Sequence, residues 1–84
     1  MTLTTAEHER MLAFRENLFR AVRGWDDDQE VLLRIVNERR AQNGLDPIAI
    51  DEVRAVGESA TGNDYVEKFA LRLAFLAYGL DWRP

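Results

Sequence analysis

Residues 64–82, DYVEKFALRLAFLAYGLDW, decide how this chain must fold. At about 100° per residue, a helix places Val66, Phe69, Leu73, Leu76 and Leu80 in one stripe. Leu71, Phe75, Tyr78 and Trp82 fall in a second, roughly opposite stripe, among Glu67, Lys68 and Arg72. A helix that is apolar on both sides is normally a buried one. In a small domain, either the other helices wrap it or part of it waits for a partner. The helix is therefore expected to sit centrally. Leu71, Phe75, Tyr78 and Trp82 are the candidate partner-binding stripe, since exposed aromatic patches mark interaction sites and Tyr and Trp are favoured anchors. The competing expectation is cover from the first helix or from the N-terminal segment through Leu3. A homodimer through this face would satisfy both.

Working outward, punctuation marks three more helices. Thr4-Thr5-Ala6-Glu7 fits a capping box, after which Met11, Phe14, Leu18, Val22 and Trp25 keep a helical period with Leu12 and Phe19 on the flank. Gly24 is placed to end that helix. Asp27 and Glu30 offer a second capping box, followed by Val31, Leu32, Ile35 and Val36 as a buried edge, and Asn43-Gly44 closes the second helix. Asp46-Pro47 reads as a cap followed by proline at the first helical position. It predicts a short third helix from Pro47 to Val56 that buries Ala49, Ile50, Val53 and Val56. Residues 57–63, GESATGN, are the one loop of any length, and Asp64 with Glu67 opens the final helix. No alternating strand pattern with turn chemistry is present. The expected fold is all-α, one domain over residues 1–84, a compact irregular four-helix bundle with the C-terminal helix central.

Bulk composition narrows the function classes. Eighty-four residues hold one modest core. The longest unbroken apolar run, Leu73 to Tyr78, is far short of the roughly 20 residues that span a bilayer, and mean hydropathy is -0.35. MTLTTAEHER has neither a basic n-region nor an apolar h-region, so no secretory signal is expected. With zero cysteines, disulfides and thiolate metal sites are absent from the repertoire. These features predict a soluble, cytoplasmic protein.

Chemistry-bearing motifs fail one after another. His8 is the lone histidine, so zinc would lack its usual nitrogen and sulfur ligands. Read as a calcium loop from Asp26, the chain puts Val31 where glycine belongs and Asn37 where the bidentate glutamate belongs. Gly57 and Gly62 have phosphate-loop spacing, but Asn63 and Asp64 replace the lysine and hydroxyl residue. Gly57-Glu58-Ser59-Ala60-Thr61 departs from the nucleophile elbow at its fifth position. No cofactor, metal ion, small-molecule ligand or enzymatic activity is expected.

Charge is the remaining signal. Net charge is -4 and the isoelectric point is near 4.9, which repels phosphate backbones on average. The second helix, the Gln42-Asn43-Gly44 turn and the third helix superficially resemble a helix-turn-helix. Its groove-entering helix, however, would carry Asp46, Asp51 and Glu52 against Arg54 alone. Asp26, Asp27, Asp28 and Glu30, with Asp46, Asp51, Glu52 and Glu58, form the candidate acidic surface. If the fold gathers them, they offer a carboxylate field to a basic groove, as small phage-encoded inhibitors of host nucleases often do. The leading expectation is a non-enzymatic interaction module whose partner is another protein or itself, with no direct nucleic acid and no membrane. In its specific form it is an acidic inhibitor of a nucleic-acid-binding surface. The alternatives are a helix-turn-helix-like DNA-binding regulator and a homodimeric structural or adaptor protein.

Overall fold

The computed structural model describes residues 3–25 and 28–83, with the side chain of Trp25 outside the described part. Among the described residues there are four helices and no strand: α1 (Thr5–Trp25), α2 (Gln29–Gln42), α3 (Ile50–Ser59) and α4 (Tyr65–Ala77). α4 is central. It touches all three other helices, most extensively α1, whereas α1 and α3 make no close backbone approach to each other. None of these helices is long and apolar enough to cross a membrane.

The start of α1 follows the sequence rule closely. The Thr4 N–H donates to Glu7 Oε1 at 3.0 Å, and the Glu7 N–H donates back to Thr4 Oγ1 at 3.1 Å. These two bonds satisfy donors that a helix N-terminus leaves orphaned. They favour the carboxylate, and the backbone bond from Thr4 is the larger cause of a Glu7 pKa below the ordinary glutamate value, followed by the Thr4 hydroxyl. The other two expected boxes differ. Asp27 lies outside the described residues, and the cap of α2 is Asp28, whose Oδ1 accepts from the Val31 N–H at 3.4 Å. Asp64 makes no capping bond; its carboxylate pairs instead with Lys68 one turn later, at 3.2 Å.

Both α2 and α4 end in the same way. Past α2, the Gly44 N–H donates to Ala41 O and the Leu45 N–H to Arg40 O, with Gly44 at φ 74°. Past α4, the Gly79 N–H donates to Leu76 O and the Leu80 N–H to Phe75 O, with Gly79 at φ 73°. Each is a Schellman turn, in which glycine takes the left-handed conformation that a Cβ disfavours. The two turns abut, since a Cβ added at Gly79 would sit 3.2 Å from Leu45 Cδ1.

The third helix starts later than its punctuation suggests. Residues 45–49 run without helix, and α3 begins at Ile50 behind Ala49, which caps without a side-chain bond. Proline disfavours the helical region for Asp46 before it. Asn37 then ties the segment to α2: its amide Nδ2 donates to Ile48 O at 3.0 Å and its Oδ1 accepts from the Ile48 N–H at 2.8 Å. Ala49 is exposed as a result, while Val53 and Val56 are fully buried. At its far end α3 continues through Gly57 to Ser59, so residues 57–59 are helix and not loop. Gly57 serves packing there, because an added Cβ would meet the Phe69 ring at 3.2 Å.

The core joins Met11, Phe14, Leu18 and Val22 of α1, Leu32 and Val36 of α2, and Val53 and Val56 of α3 around Phe69, Leu73 and Leu76 of α4. Val31 and Ile35, expected at the buried edge of α2, are half-buried. On α4, Ala70, Ala74 and Ala77 are buried as well. Together with the larger residues they widen the buried arc to about 160° of the helix circumference, and their small side chains let a neighbouring backbone approach closely.

Candidate functional site

The second apolar stripe does not survive as one surface. Tyr78 is 4% exposed and Trp82 is 7% exposed, both inside the protein. α4 ends at Ala77, so Trp82 is not on the helix at all, which corrects the continuous helix expected over 64–82. Gly79 turns the chain and the tail runs back over α3. There the Trp82 indole Nε1 donates to Glu52 Oε2 at 3.2 Å, and the Arg83 guanidinium lies 4.7 Å from the Trp82 ring centre. The Tyr78 ring meets Phe14 edge to face, centroids 6.2 Å apart, and the Arg39 guanidinium lies 4.9 Å from the Phe14 ring centre. Phe75 is half-buried and packs against the core; Leu71 is half-buried. Among the described residues the one large apolar side chain classed as exposed is Tyr65, at 38%.

What remains open on this side is a groove between α1 and α4. Arg15, Glu16 and Phe19 line it from α1 and Glu67 from α4, around a volume of about 310 Å³. Phe14 near Tyr78, and Phe19 near Glu67, show that the two helices run antiparallel. Leu12 and Phe19, half-buried and two turns apart, flank Arg15 and Glu16. The sequence contained this signal as two flanking apolar residues of the first helix, but it gave no means of knowing what faced them.

The acidic residues divide. Asp26 and Asp27 lie outside the described residues. Asp28 and Glu30 are exposed at the head of α2. Asp46 is exposed in the connection between α2 and α3, where Arg40 Nε donates to its backbone carbonyl at 2.6 Å. Asp51 and Glu58 are exposed on α3, seven residues apart and therefore on one face, with Arg54 between them and 3.6 Å from Asp51. Glu52 is half-buried and committed to the tail through Trp82 and through an ion pair with Arg83 at 3.6 Å. The Gln29 amide lies 3.5 Å from a Cβ added at Gly57, so the head of α2 stands beside the end of α3. Asp28, Glu30 and Glu58 consequently occupy one end of the molecule, with Asp51 continuing the same side and Asp46 near the opposite end of α3.

The α2–α3 pair lacks the geometry of a groove-reading motif. Its connection spans seven residues, 43–49, a turn followed by five residues outside any helix, where a helix-turn-helix uses a turn of three or four. Among the described residues, no three His, Cys, Asp or Glu side chains converge in a way that would hold a metal ion, and His8 is exposed at the start of α1. The buried Tyr78 hydroxyl has no hydrogen-bond partner among the described residues.

Comparison of the chain with models of known protein families, with curated proteins and with solved structures gives no match.

Proposed function

We propose that this chain is a non-enzymatic, cytoplasmic interaction module that presents an acidic face to a basic surface of a partner, as an inhibitor of a nucleic-acid-handling complex of the phage anti-defence type. The observation that carries this reading is the placement of Asp28, Glu30 and Glu58 at one end of the α2–α3 pair, with Asp51 on the same outward side, all four exposed. Asp51 and Glu58 stand on α3, which α1 does not closely approach. Arg54 stands on the same face, 3.6 Å from Asp51, and Arg34, exposed one turn after Glu30, borders it. Carboxylates held on rigid helices raise the local attraction for a cationic groove, and the net charge of -4 disfavours binding to nucleic acid itself.

The test is displacement of labelled duplex DNA from purified nucleases with basic channels, an RNA-guided nuclease among them. The wild-type chain is expected to displace DNA at low salt, to lose that effect as salt screens the contact, and to leave free duplex unbound. Reversing Asp51 and Glu58 to lysine is expected to abolish displacement. Retention of free duplex by the chain would favour the DNA-binding alternative. Failure to displace DNA from any nuclease, or displacement indifferent to the two reversals, would overturn the reading.

A further inference from the structure

We propose that Asn43 is a site of spontaneous deamidation, restrained by the junction of α2 and α4, and that its conversion to an acid unlatches that junction irreversibly. Asparagine is a chemically labile residue, and a glycine after it leaves the attacking backbone nitrogen unshielded by any side chain. Of the four asparagines, Asn17, Asn37, Asn43 and Asn63, Asn43 alone precedes a glycine. It is exposed just past the end of α2, so water and base reach it. Asn37, by contrast, has both amide atoms committed to Ile48. The reaction uses only this dipeptide and water. The Gly44 nitrogen gives its proton to solvent base and attacks Cγ of Asn43. A bond forms from that nitrogen to Cγ, the Cγ–Nδ2 bond breaks, and Nδ2 takes up a proton and leaves as ammonia. Water then opens the resulting succinimide at either carbonyl, leaving aspartate or isoaspartate.

In the folded chain both reacting groups are held elsewhere. The Gly44 N–H, whose nitrogen is the nucleophile, donates to Ala41 O at 3.1 Å within the turn that ends α2, with Gly44 at φ 74°. Asn43 Nδ2, the leaving group, donates to Ala77 O at 2.9 Å. Arg40 fastens the same place by donating to the carbonyls of Leu76 and Asp46. Before the nitrogen can turn onto Cγ and Nδ2 can leave, the contact between the two helix ends must open. Local openings of this kind cost less than global unfolding and are sampled continually. The product does not restore the contact. Neither acid has the Nδ2 donor for Ala77 O, and the new carboxylate stands at the C-termini of two helices, whose partial negative charge disfavours it. Isoaspartate also adds a backbone atom inside the Schellman turn, which depends on the spacing of its two hydrogen bonds. The junction that opens is the one from which the Gly79 turn and the tail carrying Trp82 depart.

The experiment is incubation of the full chain at mildly alkaline pH, folded and in guanidinium chloride, followed by tryptic peptide mapping with mass spectrometry. Cleavage after Arg40 and Arg54 isolates residues 41–54, in which Asn43 is the one asparagine. Chromatography separates the aspartate and isoaspartate forms, and fragmentation places the change at residue 43. The unfolded chain is expected to convert at Asn43 ahead of the other three asparagines, and the folded chain at least about tenfold more slowly. Arg40→Met, shown to be folded by circular dichroism, is expected to convert about 5–30-fold faster than folded wild type. Asn43→Asp, the product made directly, is expected to lower the folded-to-unfolded ratio by about 5–30-fold in denaturant unfolding. The comparison of folded with unfolded wild type needs no variant to fold. Four results would each overturn the inference: no conversion at Asn43 in the unfolded chain, equal rates folded and unfolded, an Arg40→Met rate equal to that of wild type, or an Asn43→Asp chain as stable as wild type.

Discussion

Arg40, in the last turn of α2, donates through Nη1 to the backbone carbonyl of Leu76, in the last turn of α4. Its Nε donates to the Asp46 carbonyl at 2.6 Å. Asn43, three residues on, donates from Nδ2 to Ala77 O at 2.9 Å. Two helix C-termini, each carrying partial negative charge, are thus brought together, and a guanidinium sits among their carbonyls, where a cation is stabilised. Replacing Arg40 with methionine keeps much of the packing and removes these donors. A loss of about 1–3 kcal/mol is expected, measured by denaturant unfolding. An unchanged midpoint would mean that water replaces the guanidinium without penalty.

Leu73 is fully buried at the centre of α4. Leu73→Ala is expected to destabilise by about 2–5 kcal/mol, the range for deleting a buried leucine side chain. A loss below about 1 kcal/mol would place Leu73 outside the core. Phe75→Glu, beside Leu76 at the edge of the buried stripe, is expected to destabilise the monomer too, since Phe75 packs against the core.

Trp82 separates a partner-facing anchor from an internal one. Its indole is buried over α3 and bonded to Glu52. Trp82→Ala is therefore expected to cost about 3–5 kcal/mol in the isolated chain. Tryptophan fluorescence of a Trp25→Phe protein, which leaves Trp82 as the sole indole, should shift to the red on unfolding. Little change in stability would show that Trp82 is dispensable to the fold.

Tyr78 gives the opposite expectation. Its hydroxyl is buried without a hydrogen-bond partner among the described residues, a condition that costs free energy when the group is desolvated. Tyr78→Phe keeps the ring against Phe14 and is expected to leave stability unchanged or raise it by about 1 kcal/mol. A clear loss in thermal unfolding would reveal a partner for that hydroxyl.

Acid should loosen the start of α1 before the rest. The folded Glu7 pKa lies below the ordinary glutamate value, chiefly through the Thr4 backbone bond. For a depressed carboxyl the stabilisation is present above the unfolded pKa and disappears as pH falls through the folded one. The Thr4 amide resonance is expected to titrate below the ordinary glutamate range and to lose that transition in Glu7→Gln. A Thr4 amide that ignores pH would mean that the capping box is open in solution.

The features legible in the sequence are those written within one or two turns of chain. Thr4 and Glu7 cap α1 because each reaches the other's backbone across three residues, and Gly44 ends α2 because glycine accepts a positive φ. The stripe of Phe69, Leu73 and Leu76 faces inward because a 3.6-residue period admits few other outcomes. The same signals misled where a distant residue supplied a better partner. Asp46-Pro47 reads as a helix start, yet Asn37 takes up both backbone polar groups of Ile48. Asp64 looked like a cap, yet its carboxylate answers Lys68. Asp51 and Glu58 were recognisable as neighbours from their spacing, but only the approach of Gln29 to Gly57 puts Asp28 and Glu30 beside them.

By itself, then, the sequence determined an all-α chain of four helices around an apolar C-terminal one, since periodicity and capping are properties of neighbouring residues. Only the tertiary structure decided which of that helix's two apolar sides is covered. Burial is a property of surfaces that meet from remote parts of the chain: Tyr78 is enclosed because Phe14 arrives from α1, and Trp82 because Gly79 lets the tail fold back onto Glu52.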